Sequence, residues 1–468
     1  AKKSLFRPKN EIQKRFMDVF YEDPIKALRY LFYVGDIREG LGERKIFRSC
    51  MSWLIETKTD IANTLLKFIP EFNRWDSLFV VGLNAKTNAE VKRIVEEQLT
   101  NDFRGYSFNE SISLMAKWMP SENASSYKTK DLARKLRELL DMTPRNYRRT
   151  LSMLRKHLDV VEVKTSSNNW SEINYEAVPS NAGLKYKNAF KKHDAKRYAA
   201  YIDSVNRGEA KINAGVLTPV DICRNYIVEE WNNYNTVRDL DTSLEAMWKN
   251  LDRTTLENTL VVRDGSGSMT LIRDGKVRPI DVATSLAIFT SECNTGIWKN
   301  KYITFSSRPE FVDLTYCETL HDKLEYSYKF DDWSNTNVYA TMKLILDTAV
   351  HNNLTQEEMP KQIIIISDMQ FDARGMGFDK SLFDGIAEEY NKNGYALPRM
   401  IFWNAGTCSG TVPMQKGENG VILCSGYSTN ILKLFLSNKL DPYAVLLDQI
   451  MKPRFDCIEN AVESLIHI

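Results

Sequence analysis

Long apolar runs are missing from this 468-residue chain. Its densest apolar burst, Ile363–Ile366, has the length of a strand and falls far short of the roughly 20 residues a membrane helix needs. Cysteine is sparse and ill-placed for bridging. Seven residues (Cys50, Cys223, Cys293, Cys317, Cys408, Cys424 and Cys457) are scattered without a C-x-x-C pair, which argues against a disulfide framework or a zinc site and for buried thiols in a reducing compartment. The five histidines (His157, His193, His321, His351, His467) include no metal-ligand pair. Net charge is nearly absent, with 63 Lys and Arg against 61 Asp and Glu. Apolar content is not lacking: at 43% hydrophobic the chain can bury real cores, which excludes wholesale disorder, and its length accommodates roughly two to four domains. The basic N-terminus, Ala1 to Arg7, has no apolar segment behind it, so no secretory signal is expected. A cytoplasmic location is the expectation, a virus-associated one included.

The balanced charge conceals an uneven distribution. Between Lys128 and Lys211 there are 19 Lys and Arg against 10 Asp and Glu, whereas from Asn258 to Ile468 the count is 20 against 26. A basic middle beside an acidic C-terminal part suggests a module facing a polyanion next to one with another task. Solvated helices also carry Lys and Arg, so the basic stretch by itself decides nothing.

The first 160 residues read as successive helices. Asp23-Pro24 supplies an N-cap and first-turn proline. Ile25, Leu28, Leu31, Phe32 and Val34 then hold an apolar stripe, and Ile46, Phe47, Cys50, Trp53 and Leu54 hold another. Similar patterns at Ile61–Phe68, Ala89–Leu99, Ser111–Trp118 and Leu132–Leu140 make an irregular helical repeat the economical expectation. Residues 160–215 lose this periodicity and read as an insertion carrying one basic helix, Tyr186 to Val205, with a further helix from Thr218 to about Tyr234. Beyond Thr254, apolar strands at Leu260–Val262, Tyr302–Phe305, Gln362–Ile366 and Met400–Trp403 alternate with helices at Asp281–Glu292, Val338–Ala349 and Asn430–Leu436. That alternation means a parallel sheet covered on both faces. The expected fold class is thus α plus α/β: an all-α region over residues 1–250 and a doubly wound domain over residues 255–468 with C-terminal helices.

The sharpest local feature follows the first strand: Asp264-Gly265-Ser266-Gly267-Ser268 places one carboxylate and two hydroxyls around a tight turn. Hard oxygens at the carboxyl end of a strand suit Mg²⁺, which keeps several waters. Ser367-Asp368 closes a later apolar strand, and Thr336 precedes a helix. These three loops, in their chain order of D-x-S-x-S turn, Thr336 and Asp368, resemble the metal-ion-dependent adhesion site of von Willebrand factor A domains. The resemblance implies hydroxyl ligands from Ser266, Ser268 and Thr336, and Asp264 and Asp368 holding Mg²⁺, or another divalent cation, mainly through waters. It also implies an acidic protein ligand completing the coordination, so that binding and not catalysis is the business of the site. The bland alternative is that these residues only cap turns. A phosphatase of the haloacid dehalogenase type needs a second carboxylate where Ser266 stands. Asp372 and Asp379 could enlarge a metal cluster around Asp368, but an acidic solvent-facing loop is commoner, and no enzyme activity is expected.

Asp36 to Arg44 (D-I-R-E-G-L-G-E-R) resembles a helix junction of the Ro (TROVE) ribonucleoprotein family. Lys117 to Asn123 and Lys211 to Gly215 resemble its uncharacterised viral and plant relatives. That likeness implies HEAT-like helical repeats followed by a von Willebrand factor A domain, and binding of structured small RNAs or single-stranded RNA ends. The basic middle agrees: Arg145, Arg148, Arg149, Lys185, Lys187, Lys191, Lys192, Lys196 and Arg197 are candidate phosphate contacts. Tyr186, Phe190, Tyr198 and Tyr201 fit a buried helical stripe better than base-stacking platforms. The expectation is a monomeric, non-enzymatic RNA-binding scaffold with no membrane partner. Its rival is a protein–protein adaptor, in assembly or in a virion, that uses the metal site without RNA.

Overall fold

The computed structural model describes residues 9–228, 236–253, 255–256, 258–270, 277–331, 336–368, 380–405, 421–425 and 442–466. The chain divides into two compact units, Ala1–Ile173 with Tyr443–Ile468, and Asn174–Pro442.

The first unit is helical. Asp23 caps the helix Pro24–Gly35 by accepting a 3.0 Å hydrogen bond from Lys26 N, and proline opens its first turn. Leu28, Leu31 and Phe32 are buried, and Phe32 meets Phe47 of the helix Arg44–Thr57 edge-on at 5.5 Å. The junction between these helices is closed by Leu41 N to Tyr33 O (3.0 Å), Gly42 N to Asp36 O (3.0 Å) and Glu43 N to Val34 O (2.7 Å). A side chain on Gly40 would collide with Tyr33 O, and Gly42 has φ +65°, so both glycines are required by the turn.

Sequence reasoning assigns residues 443–468 to the C-terminal domain; the structure corrects this. Phe455, Ile458 and Val462 are fully buried in the core of the first unit. The buried Arg29 donates to Glu459 Oε2 (2.8 Å), Asp456 Oδ1 (2.6 Å) and Ile450 O (3.1 Å), and Arg454 donates to Asp36 Oδ2 (2.7 Å). The 1–250 boundary is corrected too, because residues 174–250 belong to the second unit. Ala214, Leu217, Val220, Met247 and Trp248 pack in one cluster with Ile280, Leu286 and Phe289 against the sheet.

Among the described residues that sheet has six strands: β1 (Thr259–Asp264), β2 (Lys301–Phe305), β3 (Phe311–Asp313), β4 (Gln362–Ser367), β5 (Arg399–Asn404) and β6 (Val421–Ser425). The order is β3-β2-β1-β4-β5-β6, parallel throughout except for the β2–β3 pair. Both faces are covered, as near-continuous apolar strands require. Val261, Ile364, Ile366, Ile401 and Trp403 face the helices Pro279–Cys293 and Leu320–Tyr328. Leu260, Val262, Ile363, Ile365 and Phe402 face the helices Val338–His351 and Lys380–Lys392. The doubly wound α/β expectation holds. The expected single helix Tyr186–Val205 is two helices, Ser180–His193 and Ala195–Asn206. Asp194 breaks it, drawn out of helical geometry while accepting from Tyr175 Oη (2.8 Å) and Arg197 Nη1 (2.9 Å). Of the expected Thr218–Tyr234 helix, the helix Pro219–Cys223 is present and residues 224–228 are not helical; residues 229–234, like the expected Asn430–Leu436 helix, lie outside the described residues.

Candidate metal centre

The chain order of the sheet reverses between β1 and β4, and ligands of doubly wound folds collect beyond the carboxyl ends of strands at such a point. Asp264 ends β1 there, buried, on the face that carries Leu260 and Val262. Its Oδ1 accepts from Ser266 N (2.9 Å) and its Oδ2 from Ser367 Oγ (2.6 Å). The turn after it is pinned by Met269, fully buried, whose N–H donates to Ser266 O at 3.0 Å. This brings Ser266 Oγ and Ser268 Oγ to 3.2 Å of each other.

Asp368, also buried, follows β4 directly. Burial pushes the Asp264 carboxyl above the ordinary carboxylate range; hydrogen bonds from Ser367 and Ser266 oppose this, and the charge of Asp368 reinforces it. Thr336 stands immediately before Asn337, whose side chain accepts from Ala340 N (3.0 Å) and so starts the helix Val338–His351. That helix leads back to β4, so its N-terminus lies toward the carboxyl edge of the sheet. Asp264, Ser266, Ser268 and Asp368 thus share one edge, with Thr336 on the approach to it. The turn-capping role is real for Asp264, yet it leaves the two serine hydroxyls pointed at each other.

The donor set fits a small hard cation. Two buried carboxylates acting on one another are costly unless a cation joins them. Hydroxyl and carboxylate oxygens are the ligands Mg²⁺ takes. Among the described residues no three His, Cys, Asp or Glu side chains gather as a metal cluster, so the hydroxyls are indispensable to any such site. Asp372 and Asp379 lie outside the described residues.

Sequence reasoning missed three neighbours. Ser367 was visible as a strand-ending polar residue, but its bond to Asp264 was not. Asn404 ends the apolar β5 in the same way, beside Ser367 in register. Arg263, one residue before Asp264, is completely buried on the opposite face, donating to Thr284 Oγ1 (2.7 Å) and to Asp331.

The basic candidates separate into two groups. Arg145, Arg148 and Arg149 are exposed on the helix Pro144–His157, which contains no acidic residue. Arg148 pairs with Glu122 at 3.0 Å. Beside this helix lies a cleft of about 720 Å³ lined by Glu122, Arg148, Ser152, Arg155, Lys156 and Lys164. Arg155 fastens the Lys117–Asn123 segment by donating to Ala116 O (2.8 Å), Met119 O (2.7 Å) and Ser121 Oγ (2.7 Å). In the second unit Lys185, Lys191, Lys192, Lys196 and Arg197 are exposed. Lys187 is not: it is buried and paired with Asp241 at 2.9 Å, so its place among the phosphate contacts is withdrawn. Lys191 reaches the same Asp241 at 2.5 Å and Arg197 pairs with Asp194 at 2.9 Å. Phe190 and Tyr198 are buried and, with Tyr175, Tyr186 and Tyr201, form one aromatic cluster, as the buried-stripe reading expects.

Residues 258–447 match a family described as Domain of unknown function (DUF7788), and residues 126–258 match Domain of unknown function (DUF2828). The first match begins one residue before β1 and spans the sheet. The chain is also similar to "Uncharacterized protein L728" of Acanthamoeba polyphaga mimivirus: 28% identical over 473 residues, covering 92% of this chain and 80% of that protein.

Proposed function

We propose that this protein is a non-enzymatic RNA-binding scaffold whose sheet unit holds a divalent cation and, through it, an acidic partner. The observation that carries the RNA reading is the helix Pro144–His157, with Arg145, Arg148, Arg149 and Lys156 exposed and no acid among its residues. Cations held along one rigid helix neutralise successive phosphates and release counterions. The adjoining cleft offers room for a single-stranded end. The likeness to von Willebrand factor A domains and to Ro ribonucleoproteins supports the same division of labour, with HEAT-like packing of the helical unit as its finer form. At the sheet edge, Mg²⁺ would be held by Ser266, Ser268 and Thr336, with Asp264 and Asp368 contributing mainly through waters. It would supply a positive centre for a partner carboxylate.

An adaptor acting without RNA is the second reading. It is favoured by the internal pairing of Lys187, Lys191, Arg148 and Arg197, cations that the fold already uses. Filter binding of a short single-stranded RNA across a salt series separates the two. Affinity should fall steeply with salt, and R145E/R149E should weaken it at least tenfold and flatten the salt slope. No RNA binding even at low salt favours the adaptor, and binding that ignores both salt and the substitution overturns the phosphate-contact account.

A further inference from the structure

Asp264, Ser367 and Asn404 occupy one row across β1, β4 and β5. Val262 pairs with Ile365 and Arg263 with Ile366, which sets Asp264 beside Ser367 at the next step, and Ser367 pairs with Asn404. Side chains alternate along a strand. Val262, Ile365 and Phe402 all lie in the cluster on one face, so the residues two positions on share that face. The 2.6 Å bond from Ser367 to Asp264 confirms it for the first pair. Neighbouring strands are about 4.8 Å apart, which puts Asn404 one strand beyond Ser367 on the carboxyl edge of the sheet.

Both Asp264 oxygens and the Ser367 hydroxyl of this row are hydrogen-bonded. The Asn404 side-chain oxygen is buried and accepts no hydrogen bond among the described residues. A buried acceptor left without a donor is costly, and this one lies one strand beyond Ser367 on the edge that carries Asp264, so it asks for a ligand. Ser367 stands between Asn404 and Asp264, which sets the amide back from the Ser266 and Ser268 hydroxyls. From that distance it meets an ion through a water, and Mg²⁺ keeps several.

We propose that Asn404 is a positioning residue of the cation site: its amide oxygen accepts a hydrogen bond from a water in the coordination shell and fixes that water on the β5 side. This rests on the cation reading of the Asp264 edge. The residue shapes which face of the ion stays hydrated and which is offered to a carboxylate.

Calorimetric titration of the full chain with Mn²⁺ and with Mg²⁺ tests it, using the native chain, D264A, N404L and N404D. The native chain should bind and D264A should not. N404L should bind about 10- to 100-fold more weakly, the usual cost of losing a partner one shell out from a metal. N404D, which keeps an acceptor oxygen, should retain the native affinity or exceed it, a rescue that mere packing would not produce. Native affinity in N404L overturns the role of Asn404 alone. No binding by the native chain overturns the cation reading and this inference with it. Should N404L not fold, N404A removes the amide and every side-chain acceptor with little steric demand, and the same comparison decides.

Discussion

Arg263 and Asp264 are chain neighbours that serve opposite faces of the sheet. The guanidinium of Arg263 is wholly buried; burial opposes its charge, but Asp331 outweighs that and holds it firmly protonated. Breaking a buried pair leaves one charge uncompensated, at a cost of about 3–5 kcal/mol, whereas replacing both partners with apolar residues of similar size is often neutral. R263M alone should therefore lower the urea midpoint of the sheet unit markedly, and R263M/D331L should restore most of it. Equal loss in both would mean the pair does not govern stability. The D-x-S-x-S turn was legible in the sequence because its members lie within five residues and one strand aims them. The Arg263 pair was not, since its partner lies 68 residues away and only the fold brings them together.

Among the elements, the segment before the helix Thr242–Lys249 fastens two helices of the second unit together. Asp241 accepts from Ser243 N (3.0 Å), caps that helix, and pairs with Lys187 and Lys191 from the helix Ser180–His193. Burial works against the Asp241 charge, yet hydrogen bonds from Lys191, Ser243 and Lys187 hold its carboxyl well below the ordinary range. A depressed folded-state pKa contributes stability that is complete above the unfolded value, near 3.9, and fades as pH falls toward the folded one. Thermal melts should therefore drop between about pH 4 and pH 2, and D241N should weaken that dependence while costing about 3–5 kcal/mol at pH 7 by stranding Lys187. An unchanged melt in D241N at pH 7 would contradict the assignment. Strands such as Gln362–Ser367 were legible from apolar runs alone. Lys187 was not, because a lysine on a helix reads as solvated until the acid that buries it is found 54 residues on. Asp194 likewise interrupts a helix for the sake of Tyr175 and Arg197, partners that no local periodicity reveals.

For the whole molecule, composition and periodicity separated helical from α/β character, while the division of the chain escaped them. The DUF7788 match starts at residue 258, just where the pattern changes, but packing places 174–250 with the sheet and 443–466 with the first helices. The motifs that carried the Ro-like resemblance prove to be fasteners in the fold: Asp36 anchors Arg454, and Asn213 donates to Glu176 O (2.8 Å) and Val178 O (2.9 Å). Deleting residues 443–468 should unfold the first unit. It removes Phe455, Ile458 and Val462, each worth about 1.5–3 kcal/mol when buried, and strands the buried Arg29 without its acids. Against a typical stability of about 5–15 kcal/mol that is decisive. Limited proteolysis of the deletion variant should cut within residues 9–173 and spare the strands β1, β2, β4 and β5 of the second unit; protection of both would refute the shared core.

The same arrangement orders events on the ribosome. At about 5–20 residues per second, the helices up to residue 173 wait roughly a quarter of a minute to one minute while residues 174–442 are made. Throughout that interval Leu28, Phe32 and their neighbours lack the side chains that will cover them. The closing helices act as a late latch, so a nascent chain interrupted anywhere inside the sheet unit presents an open apolar core to chaperones and proteases. Only a chain translated past the helix Asp456–Ile466 hides that signal.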